Sequence, residues 1–270
     1  MPELPEVETI VRDIRPGLEG QRITSVEVRK ADILKRIGRA AFIRGMSGRR
    51  IAAVARRAKN VVLELDDGSR AVIQPGMTGS MQVGGRDDTY DVVRWTLSSG
   101  KKARYTDVRR LGRIYLFKPP AWQAHDKAIG PEPLDRSFTP AVLLERLRGR
   151  KTPVKKAIMD QRRLAGVGNI YASEALWMAG IDPSRPASSV TPEEAERLRD
   201  AIVDVLRRSI RGRGTTVRDY RTGTGEPGNF AGRLAVYERA GEPCLRCGTP
   251  IAATHGIDAR STYFCYRCQR

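Results

Sequence analysis

Cysteine is absent from the first 243 residues of this 270-residue sequence, and all four cysteines lie between Cys244 and Cys268. Disulfide bonds therefore cannot stabilise most of the chain. The sequence also has no long apolar run and no basic amphipathic segment with an aromatic face, so a membrane partner is not predicted. Acidic residues are in the minority, with 31 Asp and Glu against 49 Lys and Arg, and the formal net charge is +18.

So large a positive charge favours a polyanionic partner, and nucleic acid is the first candidate. A membrane surface and a solvated basic surface without a partner are the alternatives that composition leaves open. The opening segment, MPELPEVETI, is acidic and lacks the basic-then-apolar order of a secretory signal. This predicts a cytoplasmic location, and with a DNA partner an association with the nucleoid.

The pattern of apolar residues changes twice along the chain, which predicts an α+β protein of several domains. Apolar residues at helical spacing predict a short N-terminal helix that ends before Gly17. Short β-branched runs separated by turn signals fill the region up to about residue 117 and predict an antiparallel β-sandwich. The clearest runs are 23–28, 61–65, 71–73, 92–97 and 114–117. A long helix with a capping box is expected from Thr191 to Gly212.

These changes of pattern define the expected domains. The β-sandwich with its N-terminal helix covers 1–120, and a proline-rich linker covers 121–133. A helical domain covers 134–232 and ends in a Gly- and Thr-rich segment at about 213–232. A loop of that length inside a compact domain is uncommon and is usually functional. The cysteine-containing segment 233–270 is the last domain.

The cysteines form two Cys-x2-Cys pairs: Cys244 with Cys247, and Cys265 with Cys268. With 17 residues between the pairs, this is the spacing of a tetrahedral thiolate site for one structural Zn²⁺ ion. Two disulfides or four free thiols are the alternatives. Between the pairs, Arg260 is expected at a hairpin tip, where its guanidinium can meet phosphate or the minor groove. A solvated arginine is the alternative there.

A second candidate site is a turn rich in glycine. The run 164–174 carries two glycines and Asn169 ahead of a helical segment. Such a turn exposes backbone N–H groups at a helix N-terminus, which suits phosphate. A tight connection between helices, with Asn169 as a simple N-cap, is the alternative.

The N-terminus is a third candidate. Met1 is followed by the small residue Pro2, so the initiator would normally be trimmed and Pro2 would carry a free secondary amine. Attack of that amine on an aldehyde-level carbon gives a cationic iminium, which promotes elimination next to it. Glu3 lies beside the amine and could transfer protons. Most proteins that begin Met-Pro do no chemistry there, so these residues alone leave catalysis open.

Taken together, these features closely resemble the family of formamidopyrimidine-DNA glycosylases over essentially the whole chain. The resemblance rests on the opening Pro2–Glu8, on the segment from Asp160-Gln161 to Glu174, and on the zinc finger, in that order. It implies a monomeric, bifunctional DNA glycosylase and AP lyase that excises 8-oxoguanine and formamidopyrimidines from double-stranded DNA. The implied reaction passes through a Schiff base on Pro2 and ends in β,δ-elimination.

The resemblance also implies catalytic roles. Pro2 is the expected nucleophile and Glu3 the general acid/base. Glu6 is expected to support the site, and Lys59 to contact the phosphate beside the lesion.

Three further residues are expected to fill the gap that an extruded nucleotide leaves. Met77, in Gly-Met-Thr-Gly, matches the family's inserted methionine, and Arg109 matches the arginine that faces the orphaned base. Leu111 stands where the family typically has an aromatic wedge; it is apolar but cannot stack. Gln74 stands where a histidine is common, so the match is not complete.

The resemblance further implies that the helical domain is a helix-two-turn-helix domain with a lesion-recognition loop at about 213–232. Asn169 and Arg260 match residues that hold the DNA backbone on either side of the flipped nucleotide. Lys155 matches a further DNA-binding lysine.

Two other functions compete with this one. An endonuclease VIII-like glycosylase for oxidised pyrimidines is the close alternative. The opening residues and the segment 215–228 argue against it, because both resemble the enzyme for oxidised purines. A non-catalytic DNA-binding protein with a zinc ribbon is the alternative from another class, and it would not need the Pro-Glu N-terminus.

Overall fold

Seven α-helices and ten β-strands make up the protein in the computed structural model, which describes residues 1–270. They divide into two units. Unit 1 comprises residues 1–127 and 210–231, and unit 2 comprises residues 128–209 and 232–270. The α+β class predicted from the sequence is confirmed.

The helices are α1 (Leu4–Leu18), α2 (Arg39–Met46), α3 (Pro119–Lys127), α4 (Pro140–Leu147), α5 (Val154–Met159), α6 (Asn169–Ala179) and α7 (Pro192–Arg211). The strands are β1 (Ile23–Val28), β2 (Ile51–Arg57), β3 (Asn60–Leu65), β4 (Arg70–Gln74), β5 (Gly79–Val83), β6 (Asp91–Leu97), β7 (Lys102–Asp107), β8 (Arg113–Phe117), β9 (Ala252–Thr254) and β10 (Thr262–Phe264).

Unit 1 is the predicted antiparallel β-sandwich. Its two four-stranded sheets have the orders β1-β6-β7-β5 and β2-β3-β4-β8. Alternate residues of a strand face opposite sides of a sheet, and in β3 Val61 and Leu63 enter the core that also holds Trp95 and Tyr105 of the other sheet. The apolar face of each sheet therefore closes one common core.

Helix α1 packs into this core through its apolar residues Val7, Ile10, Val11 and Ile14. The helix continues through Pro16 and Gly17 to the buried Leu18, so it ends later than predicted. On its other side, Glu8 accepts a hydrogen bond from Arg12 Nε at 2.7 Å and one from Arg56 Nε of β2 at 3.0 Å. These bonds fix the first turns of α1 to the edge of the sheet.

The region predicted as a linker contains a helix. Pro119 and Pro120 begin α3, because proline suits the first turn, where the N–H groups have no helical partner. Trp122 then packs with Phe117 and Val62 on the outer face of the second sheet. Helix α3 therefore covers residues 121–127 of the predicted linker.

The segment 210–231 belongs to unit 1 rather than to the helical unit with which we grouped it. It docks on α1, where the Asp13 carboxylate accepts hydrogen bonds from Arg213 Nη2 at 2.9 Å and from the Gly223 N–H at 2.9 Å. The grouping was missed because polar contacts to a helix some 200 residues away leave no trace in the local sequence.

Unit 2 holds α4, α5, α6, most of α7 and the β9–β10 hairpin. The capping box expected at the start of α7 is present: the Glu194 N–H donates to Thr191 Oγ1 and the Thr191 N–H donates to Glu194 Oε2. Within the unit, the buried Glu174 carboxylate accepts from the N–H groups of residues 235–237 at 2.8–2.9 Å. No helix combines the length and apolar character that a membrane span needs.

Replacing Glu8 with glutamine should flatten the pH dependence of stability. Burial alone raises the pKa of Glu8, but Arg12 and Arg56 outweigh it and hold the pKa below its usual range. A lowered native pKa contributes stability that is complete above the unfolded-state pKa of about 4.3 and is lost as the pH falls through the native value. In urea unfolding we expect wild type, but not Glu8→Gln, to lose this increment as the pH falls below about 4.3.

The matched control is Glu145→Gln, which removes an exposed carboxylate from α4. It should follow the wild-type curve. Parallel curves for Glu8→Gln and wild type would contradict the assigned role of the ion pairs.

Candidate active site and metal site

The N-terminal segment lies at the start of α1, where Pro2 and Glu3 are both buried. Glu3 is the N-cap residue, and the Glu6 carboxylate accepts a hydrogen bond from the Glu3 N–H at 2.9 Å. The other oxygen of Glu6 accepts from the Thr215 N–H at 2.7 Å. A single carboxylate thus joins the Glu3 backbone, next to Pro2 in the chain, to the segment 210–231.

Tyr220 strengthens the same junction. Its hydroxyl donates to the backbone oxygens of Glu6 and Arg213, both at 3.2 Å. Burial raises the pKa of Tyr220, so the phenol stays protonated and can donate. Gly214 has a φ of +86°, and a Cβ there would meet the Tyr220 ring and the Glu6 carboxylate. The close approach of this segment to α1 therefore requires glycine.

Lys59 lies in the tight turn between β2 and β3 and is half-buried. The preceding residue, Ala58, has a φ of +53°, in the left-handed region. The turn belongs to unit 1, as does the N-terminus.

Met77, Arg109 and Leu111 come from two loops that the sheet brings together. Met77 lies between β4 and β5, and the other two lie between β7 and β8. The loops are neighbours because Gly79 of β5 pairs with Asp107 of β7. Arg109 Nη1 is 3.6 Å from Met77 Sδ, and Met77 and Leu111 are 36% and 49% exposed. The fold therefore leaves two apolar side chains partly in solvent, and that of Met77 lies beside the Arg109 guanidinium.

The glycine-rich turn joins α5 to α6. Gln161 organises it: its Nε2 donates to the backbone oxygens of Met159 and Val167, and its Oε1 accepts from the Gly166 N–H, all at 2.8–2.9 Å. Asn169 is the first residue of α6, and Gly168 rather than Asn169 is the N-cap. The alternative of Asn169 as a simple N-cap is therefore excluded.

Asn169 instead contacts its own unit through its side chain. Its Oδ1 accepts from Lys155 Nζ at 2.6 Å, and its Nδ2 donates to the Ser261 backbone oxygen at 3.0 Å. Lys155 is fully buried and also donates to Thr262 Oγ1 at 2.7 Å, while Asp258 Oδ2 is 3.6 Å away. One buried ammonium thus links α5, α6 and the β9–β10 hairpin.

Arg260 lies in the connection between β9 and β10, as predicted, and is exposed. Its N–H donates to Asp258 Oδ1 at 3.0 Å. Asn169 and Arg260 therefore lie on two segments that Lys155 and the Ser261 carbonyl hold together.

The four cysteines are free thiols whose sulfur atoms all lie within 4.8 Å of one another. Neighbouring sulfurs are 3.5 Å and 3.9 Å apart for the pairs Cys247–Cys265 and Cys244–Cys268. Four sulfurs at about 2.3 Å from a tetrahedral zinc ion would be about 3.8 Å apart, whereas a disulfide requires about 2.05 Å. The cluster is positioned to bind one zinc ion, and the disulfide alternative is excluded.

The surroundings of the cluster suit thiolates. The Arg246 N–H and the Trp177 indole N–H both point at Cys244 Sγ from 3.5 Å. The Arg246 guanidinium stacks on the Trp177 ring at 4.1 Å and donates to the last carbonyls of α6. The finger is therefore fixed to the C-terminal end of α6, within unit 2.

Sequence reasoning missed several residues of these sites. Asp107, Tyr220 and Glu174 are buried polar residues that join segments distant in sequence. The signal that could have identified Asp107 was its position two residues before the candidate Arg109. No local signal marked Tyr220.

Family models cover most of the chain. The formamidopyrimidine-DNA glycosylase N-terminal domain matches residues 1–114, and the formamidopyrimidine-DNA glycosylase H2TH domain matches residues 129–221. The zinc finger found in FPG and IleRS matches residues 241–270.

Similar proteins share the whole length of the chain. The formamidopyrimidine-DNA glycosylases of Serratia proteamaculans and Rhodospirillum rubrum are 45% and 41% identical, with 100% of each chain covered. Among solved structures, the MutM (Fpg) protein from Thermus thermophilus has a TM-score of 0.88 and 37% identity, with 99% of this chain and 98% of that chain covered. A complex of a Lactococcus lactis Fpg mutant with Fapy-dG-containing DNA has a TM-score of 0.91 and 30% identity, with 100% of both chains covered.

The three family models match in succession along the chain, and full-length relatives are more than 40% identical. The chain therefore belongs to the formamidopyrimidine-DNA glycosylase family of DNA-repair enzymes.

Proposed function

We propose that this enzyme excises oxidised purines from double-stranded DNA and then cleaves the strand, with Pro2 as the nucleophile. The observation that carries the proposal is the junction at the start of α1, where Glu6 joins the Glu3 backbone to the segment 210–231. A nucleophile at a chain end has little fixed geometry of its own, so a buried carboxylate beside it supplies the order that an in-line attack requires.

The reaction begins when the Pro2 amine, freed of Met1, attacks C1′ of the damaged nucleotide. The bond from C1′ to the base breaks, and the base leaves with a proton. The Pro2 nitrogen then loses its proton. Glu3 protonates O4′ as the C1′–O4′ bond of the sugar ring breaks, and the nitrogen lone pair forms the C=N bond of a cationic iminium. The iminium draws electrons from C2′, so removal of a C2′ proton expels the 3′ phosphate, and a second elimination expels the 5′ phosphate.

A stacked base is out of reach of such a nucleophile, so the damaged nucleotide must leave the helix and its gap must be filled. Met77 and Leu111 are exposed apolar side chains, suited to enter a base stack. Arg109 lies beside Met77 and can donate to the acceptor atoms of cytosine. Lys59 contacts the phosphate next to the lesion in this proposal.

The helical unit supplies the remaining contacts with the DNA backbone. Asn169 and Arg260 hold phosphates, and the net charge of +18 attracts the polyanion over a longer range. We revise the role of Lys155: its amine is buried and bonded to Asn169 and Thr262, so it positions these groups rather than contacting DNA itself. A DNA substrate also implies a location at the nucleoid.

Oxidised purines are the proposed substrates for two reasons. The similar Lactococcus lactis protein forms a complex with Fapy-dG-containing DNA. The segment 213–232, which resembles a lesion-recognition loop for purines, begins at the residues that bond Glu6. An endonuclease VIII-like preference for oxidised pyrimidines remains the second candidate, and cleavage of duplexes carrying each lesion separates the two.

The first prediction from this proposed function concerns Pro2. Borohydride should trap the iminium as a stable protein–DNA adduct through residue 2 when the chain begins at Pro2. Protein that retains Met1 should give neither adduct nor cleavage, because an amide nitrogen is not nucleophilic, yet it should still bind DNA. Mass spectrometry of the protein and of the trapped adduct checks both statements.

Glu3→Gln provides the control for the chemical steps, because it should slow base removal more than cleavage at a pre-formed abasic site. Full activity in protein verified by mass to retain Met1 would overturn the mechanism. The nucleophile would then be a lysine, and Lys59 would be tested first.

The second prediction concerns the opposite base. Excision of 8-oxoguanine should be faster opposite cytosine than opposite adenine, because only cytosine offers Arg109 a suitable pair of acceptors. Arg109→Ala should reduce the ratio of the rate opposite cytosine to the rate opposite adenine by about five- to tenfold, the order expected for one specific base contact. Single-turnover rates on the two duplexes measure it.

Arg136→Ala removes an exposed positive charge from unit 2 and should leave the ratio unchanged. If wild type excised 8-oxoguanine at equal rates opposite cytosine and opposite adenine, the role assigned to Arg109 would be wrong.

The third prediction concerns zinc, which supplies structural stability to the finger that carries Arg260. Cys244→Ser should lose the metal and weaken binding to damaged and undamaged duplexes alike, while unit 1 stays folded. Metal analysis and equilibrium binding test this. Freshly purified wild type without zinc and with oxidised thiols would contradict the assignment.

A further inference from the structure

Asp107 is a buried carboxylate at the end of β7 with four hydrogen-bond donors around it. Oδ1 accepts from the Thr78 hydroxyl at 2.5 Å and from the Arg110 N–H at 3.1 Å. Oδ2 accepts from the Gly112 N–H at 2.8 Å and from the Tyr105 hydroxyl at 3.2 Å. Three of these donors come from the two loops that carry the gap-filling residues, and Tyr105 belongs to β7 itself.

Thr78 extends the network to Arg109. Its hydroxyl gives its proton to Asp107, and its oxygen accepts the Arg109 N–H at 3.0 Å. Thr78 is also the residue next to Met77 in the chain. A single hydroxyl therefore connects the Asp107 carboxylate, the Arg109 backbone and the loop of Met77.

The packing around Asp107 leaves the two loops little freedom. A Cβ at Gly76 would meet Asp107 Oδ2, and one at Gly79 or Gly112 would overlap the Tyr105 hydroxyl. Arg110 has a φ of +50°, a strained conformation for a residue with a side chain, and its N–H bonds Asp107. A buried carboxylate without donors is costly. The bonds to Asp107 therefore hold both loops in place and keep Arg110 in its strained backbone conformation.

We propose that Asp107 is a positioning residue that sets the preference for the base opposite the lesion. Its carboxylate fixes the backbone of Arg109 relative to Met77, so the guanidinium reaches the orphaned base in one orientation. The inference rests on the proposed function, in which Arg109 reads that base. It goes further by assigning the selectivity to a buried group that touches no DNA.

Asp91 is the matched control. It is a buried carboxylate on the neighbouring strand β6 of the same sheet, and it bonds the Asp88 N–H and Arg94 Nε. Asp91→Asn disturbs a buried carboxylate in the same sheet, but not the bonds to Thr78, Arg110 and Gly112.

The experiment compares single-turnover excision of 8-oxoguanine opposite cytosine and opposite adenine in wild type, Asp107→Asn and Asp91→Asn. The readout is the ratio of the two rates. An unfolded fraction of the enzyme lowers both rates equally, so it does not change this ratio. We expect Asp107→Asn to reduce the ratio by about fivefold or more, the order of one specific base contact. Asp91→Asn should keep the wild-type ratio.

Thr78 gives a second test that does not remove the buried charge. Thr78→Val has the same shape without the hydroxyl and should also reduce the ratio, whereas Thr78→Ser should restore it. If Asp107→Asn does not fold, the two Thr78 variants decide the question.

A wild-type ratio in folded Asp107→Asn or in Thr78→Val would overturn the inference while leaving the role of Arg109 intact. A wild-type enzyme without any preference between cytosine and adenine would overturn both.

Discussion

A carboxylate that leaves water must find hydrogen-bond donors inside the protein, and the structure depends on this requirement at three points. Glu6 receives the Glu3 and Thr215 N–H groups, Asp107 receives donors from two loops, and Glu174 receives three consecutive N–H groups at 235–237. In each case the carboxylate accepts from at least one segment that is far from it in sequence. Satisfying one buried acid therefore fixes several otherwise irregular loops at once.

The exposed candidates depend on these buried groups. Met77 and Leu111 are partly in solvent. Their order comes from Asp107 beneath them, just as Asn169 and the hairpin of Arg260 take theirs from the buried ammonium of Lys155. This separation lets the surface stay basic and polar for a polyanion, while buried polar groups hold the exposed candidate residues in place.

The sequence predicted the sandwich because five of its eight strands are β-branched runs bounded by turns. It did not reveal β2, β5 and β7, where arginine, glycine, lysine and threonine interrupt the alternation. Tertiary pairing overrides that weak local preference. Helix α3 was missed because Pro119 and Pro120 suit both an irregular linker and a helix start, and packing of Trp122 on the sheet decides between them.

By itself, the sequence determined the zinc ligands, the family and the identity of the candidate residues, because these depend on residue type and on spacing along the chain. Only the tertiary structure decided that the segment 210–231 joins the N-terminal unit, that Lys155 is buried, and that Asp107 links two loops. The physical reason is that burial and hydrogen bonding between distant segments depend on the folded arrangement. A local pattern records which groups are present, but not which of them the fold removes from water.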